Sequence, residues 1–181
     1  MIRKIRKTLA GVKFLLFSKK EKFVIDILNG KQIRTIKGTI SKVKEQDELW
    51  YNLLAQHSEK IYEVGCNIGQ TALLALTNDN VKKVLLLDPN PEALSIANKN
   101  MIQNNFIHKT QSFLGFVSNE INNELDFYTI GYGASGSMYS SHAETAAAIG
   151  SFYKVQTTTL DYLSNYFQWS PDFMKIDVEG A

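Results

Sequence analysis

The sequence Ile61-Tyr-Glu-Val-Gly-Cys-Asn-Ile-Gly69 decides the fold of this chain. A short apolar run carries one carboxylate, Glu63, and is followed by two glycines, Gly65 and Gly69. The next residues, 70–76, have the composition of a helix, so the order is strand, glycine turn, helix. Gly65 permits a tight turn and the close approach of a ligand because it has no Cβ. The first N–H groups of the helix are unpaired and face that approach.

The spacing of these glycines restricts the ligand. The dinucleotide fingerprint requires glycines at offsets 0, 2 and 5. Counted from Gly65, those positions hold Gly65, Asn67 and Gln70, so the fingerprint fails. A carboxylate two residues before the first glycine suits a cationic ligand better than a pyrophosphate, and S-adenosylmethionine carries ammonium and sulfonium charges. The alternative is an ordinary strand-to-helix turn with surface glycines.

Length and charge give a single domain with an unusual N terminus. The chain has 181 residues, which favours one domain with a substantial core. Its one cysteine, Cys66, excludes an intramolecular disulfide and fits a reducing compartment. Residues 1–44 hold 13 Lys and Arg but 2 Asp and Glu, whereas the remaining residues hold 7 and 16. This asymmetry indicates a basic arm or surface.

The basic N-terminal part has helical periodicity. Its apolar stripe consists of Ile2, Ile5, Leu9, Val12 and Leu16, with basic residues between them. Such a helix can pack its stripe on the domain or lie on an anionic membrane surface. The sequence contains neither a secretory signal nor an apolar run long enough to span a membrane.

Residues 21–55 carry weaker signals. Residues 21–29 favour a second short helix closed by Gly30, and residues 33–43 favour strands. Asp47 is predicted to cap a further helix, one face of which is apolar. That face consists of Leu49, Trp50, Leu53 and Leu54.

Two further strands follow the glycine turn. Residues 84–88 form a continuous apolar run that ends in Asp88, 19 residues beyond Gly69, where nucleotide-binding α/β folds place an acid for ribose hydroxyls. Asn90 is predicted to cap the next helix, and residues 113–117 form a third strand. Alternating strands and helices predict a right-handed parallel sheet with Glu63, Asp88 and Ser118 at its carboxyl edge.

The second half of the chain predicts an antiparallel insertion and one more parallel strand. Residues 125–130 and 153–159 read as strands joined by a glycine- and serine-rich loop, in which His142 is either a general base or a surface residue. Residues 171–180 read as a buried strand in which Asp177 and Glu179 share one face. Both carboxylates could then reach one site, or they could cap the next helix. No metal-ligand spacing is found.

Four stretches together resemble the FkbM family of methyltransferases, which have a class I S-adenosylmethionine-dependent fold. They are Glu63-Val-Gly-Cys-Asn-Ile-Gly-Gln70, Asp88-Pro-Asn-Pro91, Thr159-Leu-Asp161 and Lys175-Ile-Asp-Val-Glu-Gly180. The resemblance does not cover residues 1–44. The family usually has Asp at position 63 and Glu at position 88, so both acids are exchanged in type but not in charge.

This resemblance implies a role for each site residue. Glu63, Gly65 and Gly69 would hold the methionine part of S-adenosylmethionine, and Asp88 would hold the ribose hydroxyls. Phe116, Val117 and Ser118 would lie beside the adenine, with Asn67 and Asn90 as further cofactor-binding positions. Asp177 and Glu179 would face the reacting centre, where Asp177, Glu179 and His142 are the candidate bases.

The expected protein is therefore an α/β, Rossmann-like, doubly wound domain with a mainly parallel sheet. It would comprise a basic helical and strand segment, residues 1–44, and a methyltransferase-like domain, residues 45–181, truncated at its C terminus. We expect O-methylation of a sugar, glycan or natural-product hydroxyl, in the cytoplasm and without nucleic acid. Peripheral membrane contact and a homodimer paired through the last strand remain open. The alternatives are a non-catalytic cofactor-binding or interaction fragment and a nucleotide-dependent oxidoreductase.

Overall fold

The structure is a computed structural model that describes residues 21–41, 46–132 and 136–178. The described strands are β1 (Phe23–Leu28), β2 (Lys31–Ile36), β3 (Lys60–Val64), β4 (Lys83–Asp88), β5 (Thr110–Leu114), β6 (Phe116–Val117), β7 (Glu124–Tyr128), β8 (Phe152–Thr158) and β9 (Phe173–Ile176). The described helices are α1 (Gln46–Ala55), α2 (Gln70–Leu76), α3 (Pro91–Gln103), α4 (Glu144–Ala148) and α5 (Leu160–Phe167), with a 3-10 turn at Ile107–Lys109.

A four-stranded parallel sheet forms the centre of the molecule. Its order is β5-β4-β3-β9, so β3 is flanked by the strand that follows it and by the last strand. This is the 3-2-1-4 order of doubly wound folds, and it creates a switch point between β3 and β9. Helices α1 to α3 pack on one face of the sheet, and α5 with Trp169 packs on the other. The predicted fold class is confirmed.

The predicted cap holds at one helix and shifts at another. The Asn90 side chain accepts hydrogen bonds from the backbone N–H groups of residues 92 and 93, as expected at the start of α3. Helix α5 is capped by Thr159, whose hydroxyl accepts a hydrogen bond from the Tyr162 N–H. Asp47 lies inside the first turn of α1, not before it.

The antiparallel insertion forms as predicted, but the third strand is divided. Strands β7 and β8 pair antiparallel, and β6 pairs parallel with β8. Residues 113–117 were predicted to be one strand, whereas the chain leaves the parallel sheet at Gly115. A Cβ at Gly115 would lie 2.6 Å from the Phe113 ring, so a side chain at the break would require this ring to move. Phe116 and Val117 therefore belong to the insertion's sheet.

Residues 21–29 form a strand rather than the predicted helix. Strands β1 and β2 make an antiparallel hairpin, and its two turn residues, Asn29 and Gly30, have φ of 48° and 74°. Positive φ at both positions is what a type I′ two-residue hairpin turn requires, so Gly30 closes a hairpin and not a helix. The hairpin is fixed to α3, because the N–H of Ile36 donates to Asn100 Oδ1 at 2.9 Å.

The remaining predictions for the N-terminal part of the chain concern a first helix, a domain boundary and helix α1. The predicted helix at residues 2–16 and the proposed boundary at residue 44 lie outside the described residues. Helix α1 exists, but its predicted apolar face points outward, and Tyr51 and Ala55 form its buried side. Tyr51 determines this orientation, since its ring packs 5.5 Å from that of Phe173 and its hydroxyl reaches into the sheet.

Candidate functional site

A cavity of about 300 Å³ opens at the carboxyl ends of β3, β4 and β9, at the switch point of the sheet. The parallel strands bring there several residues that the sequence placed in one site. These are Gly65, Asn67, Asp88, Asn90, Phe116, Val117 and Asp177. The rest of the wall is mainly apolar, as in most small-molecule sites.

Gly65 lets the end of β9 cross directly over the turn. Its φ is 79°, and its N–H donates to the carbonyl of Leu87 at 2.8 Å. A Cβ on this residue would lie 2.0 Å from the backbone oxygen of Asp177. No side chain fits at this position. Glycine therefore allows the turn, β4 and β9 to lie close together around the cavity.

Asp88 provides a carboxylate that is held by the backbone. Its Oδ2 accepts from the N–H of Asn67 at 2.6 Å, and its Oδ1 accepts from the N–H of Asn90 at 2.8 Å. Burial raises the pKa of Asp88, while the two backbone donors oppose that rise. Each carboxylate oxygen has further acceptor capacity, so Asp88 can still accept hydrogen bonds from ligand hydroxyls in the cavity.

Glu63 lies elsewhere than the sequence suggested. Its side chain is fully buried and is not among the residues that line the cavity. Its carboxylate accepts hydrogen bonds from the hydroxyl of Tyr51 and, at 3.3 Å, from that of Thr71. Burial raises the pKa of Glu63 to about 7, against the opposing effects of Tyr51, Lys175 and Thr71. The geometry connects Glu63 to α1 and α2, outside the cavity.

Gly69 also contributes to packing. A Cβ at this position would lie 3.0 Å from the Cβ of Ala97 and 3.1 Å from Met101, so the glycine lets α2 begin close to α3. The neighbouring Cys66 is buried, and burial raises the pKa of its thiol. Neither residue lines the cavity.

Of the three candidate bases, one lies at the cavity in the part of the chain that the structure describes. Asp177 lines the cavity, and its Oδ2 accepts from Lys175 Nζ at 2.7 Å. His142 is exposed, packs edge-on against Tyr139 with ring centroids 5.3 Å apart, and does not line the cavity. Glu179 lies outside the described residues.

The methyltransferase FkbM domain matches residues 63–181. The chain belongs to the FkbM methyltransferase family. The match covers more than half of the chain and begins at Glu63, which confirms the resemblance inferred from the four stretches. No curated protein sequence matches the chain.

Solved structures that resemble the FkbM domain share little sequence with it. An O-methyltransferase from Bacillus cereus, in complex with SAH, is 18% identical with a TM-score of 0.35, covering 40% of this chain and 34% of its own. TYW2 from P. horikoshii, in complex with MeSAdo, is 14% identical with a TM-score of 0.41, covering 52% and 36%. The complex of aTrm5 with tRNALeu is 18% identical with a TM-score of 0.37, covering 62% and 42%. The chain thus spans roughly a third to two fifths of these proteins.

The insertion of the FkbM domain forms the outer wall of the cavity. Phe116 packs edge-on against Phe127 of β7, with ring centroids 5.7 Å apart. A Cβ at Gly136 would lie 2.1 Å from the Phe127 ring, so the loop passes directly over it. Asn90 Nδ2 donates to the carbonyl of Gly131 at 3.1 Å, which fastens this wall to the start of α3.

Four residues of this wall were not predicted from the sequence, and one residue predicted beside the adenine lies away from it. Phe127, Gly136, Ser137 and Met138 line the cavity and were not predicted as site residues. The available signal was the glycine- and serine-rich loop, since long loops in compact domains are often binding loops, but its composition does not specify its contacts. Ser118 was predicted beside the adenine, but its N–H pairs with the carbonyl of Thr158 at 2.8 Å and it does not line the cavity.

The described residues contain neither a metal-binding cluster nor a membrane-spanning helix. No group of three or more His, Cys, Asp or Glu in residues 21–41, 46–132 and 136–178 is arranged to hold a metal ion. Within the same ranges, no helix has the length and apolar character needed to cross a membrane.

Proposed function

We propose that the protein binds S-adenosylmethionine in the cavity at β3, β4 and β9 and methylates a hydroxyl group of a sugar, glycan or natural product. One observation carries the proposal. In a chain of the FkbM family, the buried carboxylate of Asp88 lies in a cavity at the switch point, beside a turn whose Gly65 admits no side chain.

The residues present fit this cofactor. Asp88 can accept hydrogen bonds from two ribose hydroxyls, and Phe116 and Val117 offer an apolar surface for a purine. Asn67 and Asn90, whose N–H groups position Asp88, also border this space. When bound, S-adenosylmethionine supplies the methyl group that is attached to its sulfonium sulfur.

Asp177 is proposed as the base that accepts the proton of the acceptor hydroxyl. Among the described residues that line the cavity, Asp88 and Asp177 are the two carboxylates, and the backbone N–H groups already engage Asp88. The Asp177 side chain is 62% exposed, so an acceptor can reach it from solvent. A weakly nucleophilic hydroxyl gains from a base within hydrogen-bond reach.

A thermal-shift panel tests the cofactor. S-adenosylmethionine and S-adenosylhomocysteine should raise the melting temperature because they bind the folded state, whereas NAD and NADP should not. The Asp88→Ala variant should lose the shift, and the exposed Asp161→Ala variant should keep it. Stabilisation by NAD or NADP instead would support the oxidoreductase alternative.

Transfer of labelled methyl groups to a mixed glycan pool tests the reaction. Turnover that falls strongly in Asp177→Asn and persists in Asp161→Asn would support the proposed base. Cofactor binding without turnover on glycans or natural-product hydroxyls would favour the alternative, a non-catalytic cofactor-binding fragment.

The partners of the protein and its location in the cell are also proposals. A hydroxyl-bearing small molecule or glycan remains the proposed acceptor, and nucleic acid is not proposed, although the aTrm5 structure contains tRNALeu. In the described residues β9 pairs only with β3, so a homodimer through β9 would add a neighbour to that edge. We also propose that the protein is cytoplasmic and contacts membranes peripherally through residues 1–44. Salt-dependent co-sedimentation with anionic vesicles tests this membrane contact.

A further inference from the structure

Helix α1 presents its largest apolar side chains to solvent. Leu49 and Trp50 are 63% and 60% exposed, and Leu53 and Leu54 are 46% and 50% exposed. Four adjacent apolar residues on the outer side of a helix are more than the scattered exposure usual for a soluble surface. Such a face marks a contact site.

The exposed surface continues onto the hairpin. Ile25 and Ile27 of β1 are 58% and 60% exposed, and Ile27 lines a shallow cavity together with Leu49. The helix and the hairpin are joined through Asn52 and Asn29, whose side chains lie 3.5 Å apart. The six residues Ile25, Ile27, Leu49, Trp50, Leu53 and Leu54 are called the outer apolar face below.

The charges around the outer apolar face do not favour an anionic membrane. Residues 21–41 contain four Lys or Arg and two Asp or Glu, and residues 46–55 contain two more acids and no base. Within these two described segments the charges balance, four basic against four acidic. A neutral apolar surface fits another apolar protein face better than a layer of anionic headgroups.

The segment that directly precedes β1 has a matching apolar side. Residues 1–20 carry the stripe Ile2, Ile5, Leu9, Val12 and Leu16 and contain seven Lys or Arg and no acid. This segment lies outside the described residues. It joins the described chain at Glu21, whose carboxylate pairs with Lys99 at 2.5 Å.

Length makes the contact feasible. A helical stripe from residue 2 to residue 16 would be about 21 Å long at 1.5 Å per residue. Strand β1 runs from the Glu21 end of the hairpin to its turn beside α1, about 17 to 20 Å for six residues. A segment that folds back along β1 therefore reaches both parts of the outer apolar face. The tether also gives it an effective concentration that a separate partner lacks.

We propose that residues 1–20 pack their apolar stripe on the outer apolar face and leave their basic side chains in solvent. This contact is independent of methyl transfer. It removes two apolar surfaces of one chain from water and turns a neutral face of the protein into a basic one.

Trp50 reports on the contact through acrylamide quenching of the full chain, and Trp50→Phe gives the background of buried Trp169. A Leu9→Glu, Val12→Glu variant should raise the Trp50 quenching constant roughly twofold, because an uncovered Trp50 is about 60% exposed. The matched control, Lys7→Gln with Lys13→Gln, changes the basic side and should leave quenching unchanged. If the glutamate variant loses its circular dichroism spectrum, alanine at the same two positions should show a smaller rise.

Each outcome decides the proposal. Protection of Trp50 that persists on dilution, without vesicles, and that is lost in the stripe variant supports it. Equal quenching in the parent chain and the stripe variant overturns it. Protection that disappears on dilution assigns the face to a second copy of the chain. Protection that requires phosphatidylserine in phosphatidylcholine vesicles assigns it to a membrane.

Discussion

Replacing Gly65 by alanine should destabilise the fold and disrupt the cavity together. The new Cβ would stand 2.0 Å from the backbone oxygen of Asp177, so the end of β9 must move by about 1 Å or more to reach van der Waals distance. That movement should weaken or break the hydrogen bond from the Asp177 N–H to the Val64 carbonyl, which is 2.9 Å long and contributes about 1 kcal/mol. The φ of 79° adds about 1 to 2 kcal/mol for any residue with a Cβ.

Gly30→Ala is the matched control for this variant. Gly30 has a φ of 74° and nothing within 4 Å of an added Cβ, so it isolates the backbone cost. The entropy that alanine removes from the unfolded chain is equal in both variants and cancels. We expect urea denaturation, followed by the fluorescence of buried Trp169, to show that Gly65→Ala loses at least about 1 kcal/mol more than Gly30→Ala. Equal losses, or unchanged affinity for S-adenosylmethionine in Gly65→Ala, would refute the close approach of β9.

Three further variants test the buried acids. Calorimetry of Asp88→Asn should show at least tenfold weaker binding of S-adenosylmethionine, about 1.4 kcal/mol, because an amide has one acceptor oxygen where two backbone donors now bind. Glu63 has a pKa of about 7 in the fold and 4.5 in the unfolded chain, so its contribution to stability is complete below pH 4.5 and is lost as pH rises through 7. The parent chain should therefore lose a few kcal/mol across this range, and urea denaturation of Glu63→Gln should show a flatter pH profile. Tyr51→Phe removes the hydroxyl that Glu63 accepts from and should cost about 1 to 3 kcal/mol in urea at pH 8, whereas the exposed Tyr166→Phe should cost little.

The central sheet could be predicted because its strands carry an unambiguous pattern. The four residues from Val84 to Leu87 are at most 1% exposed, and such a continuous apolar run is stable only between two helical layers. The glycine turn before α2 and the Asn90 cap before α3 fixed the ends of these elements. Asp88 followed from the same pattern because it is the last residue of its strand.

The N-terminal hairpin and the orientation of α1 could not be predicted in the same way. Strand β1 has apolar residues on both faces, so its pattern does not separate strand from helix. In α1 the large apolar residues suggested the buried side, but the buried positions are Tyr51 and Ala55. A hydrogen bond to a residue of another element decides that orientation, and no local pattern records it.

Asp88 and Glu63 have different surroundings because they occupy different positions at the ends of their strands. Asp88 is the final residue of β4 and meets the cavity, whereas Glu63 precedes the last residue of β3 and points under α1 and α2. Because successive side chains of β3 point to opposite faces of the sheet, Val64 lines the cavity and Glu63 points into the interior. We therefore expect a change at Glu63 to act on a ligand only through the fold. Variants of Glu63 that bind the cofactor less tightly should lose stability in proportion, whereas Asp88→Asn should lose affinity with a smaller change in stability. A Glu63 variant of undiminished stability that nevertheless fails to bind would show that the carboxylate contacts the ligand after all.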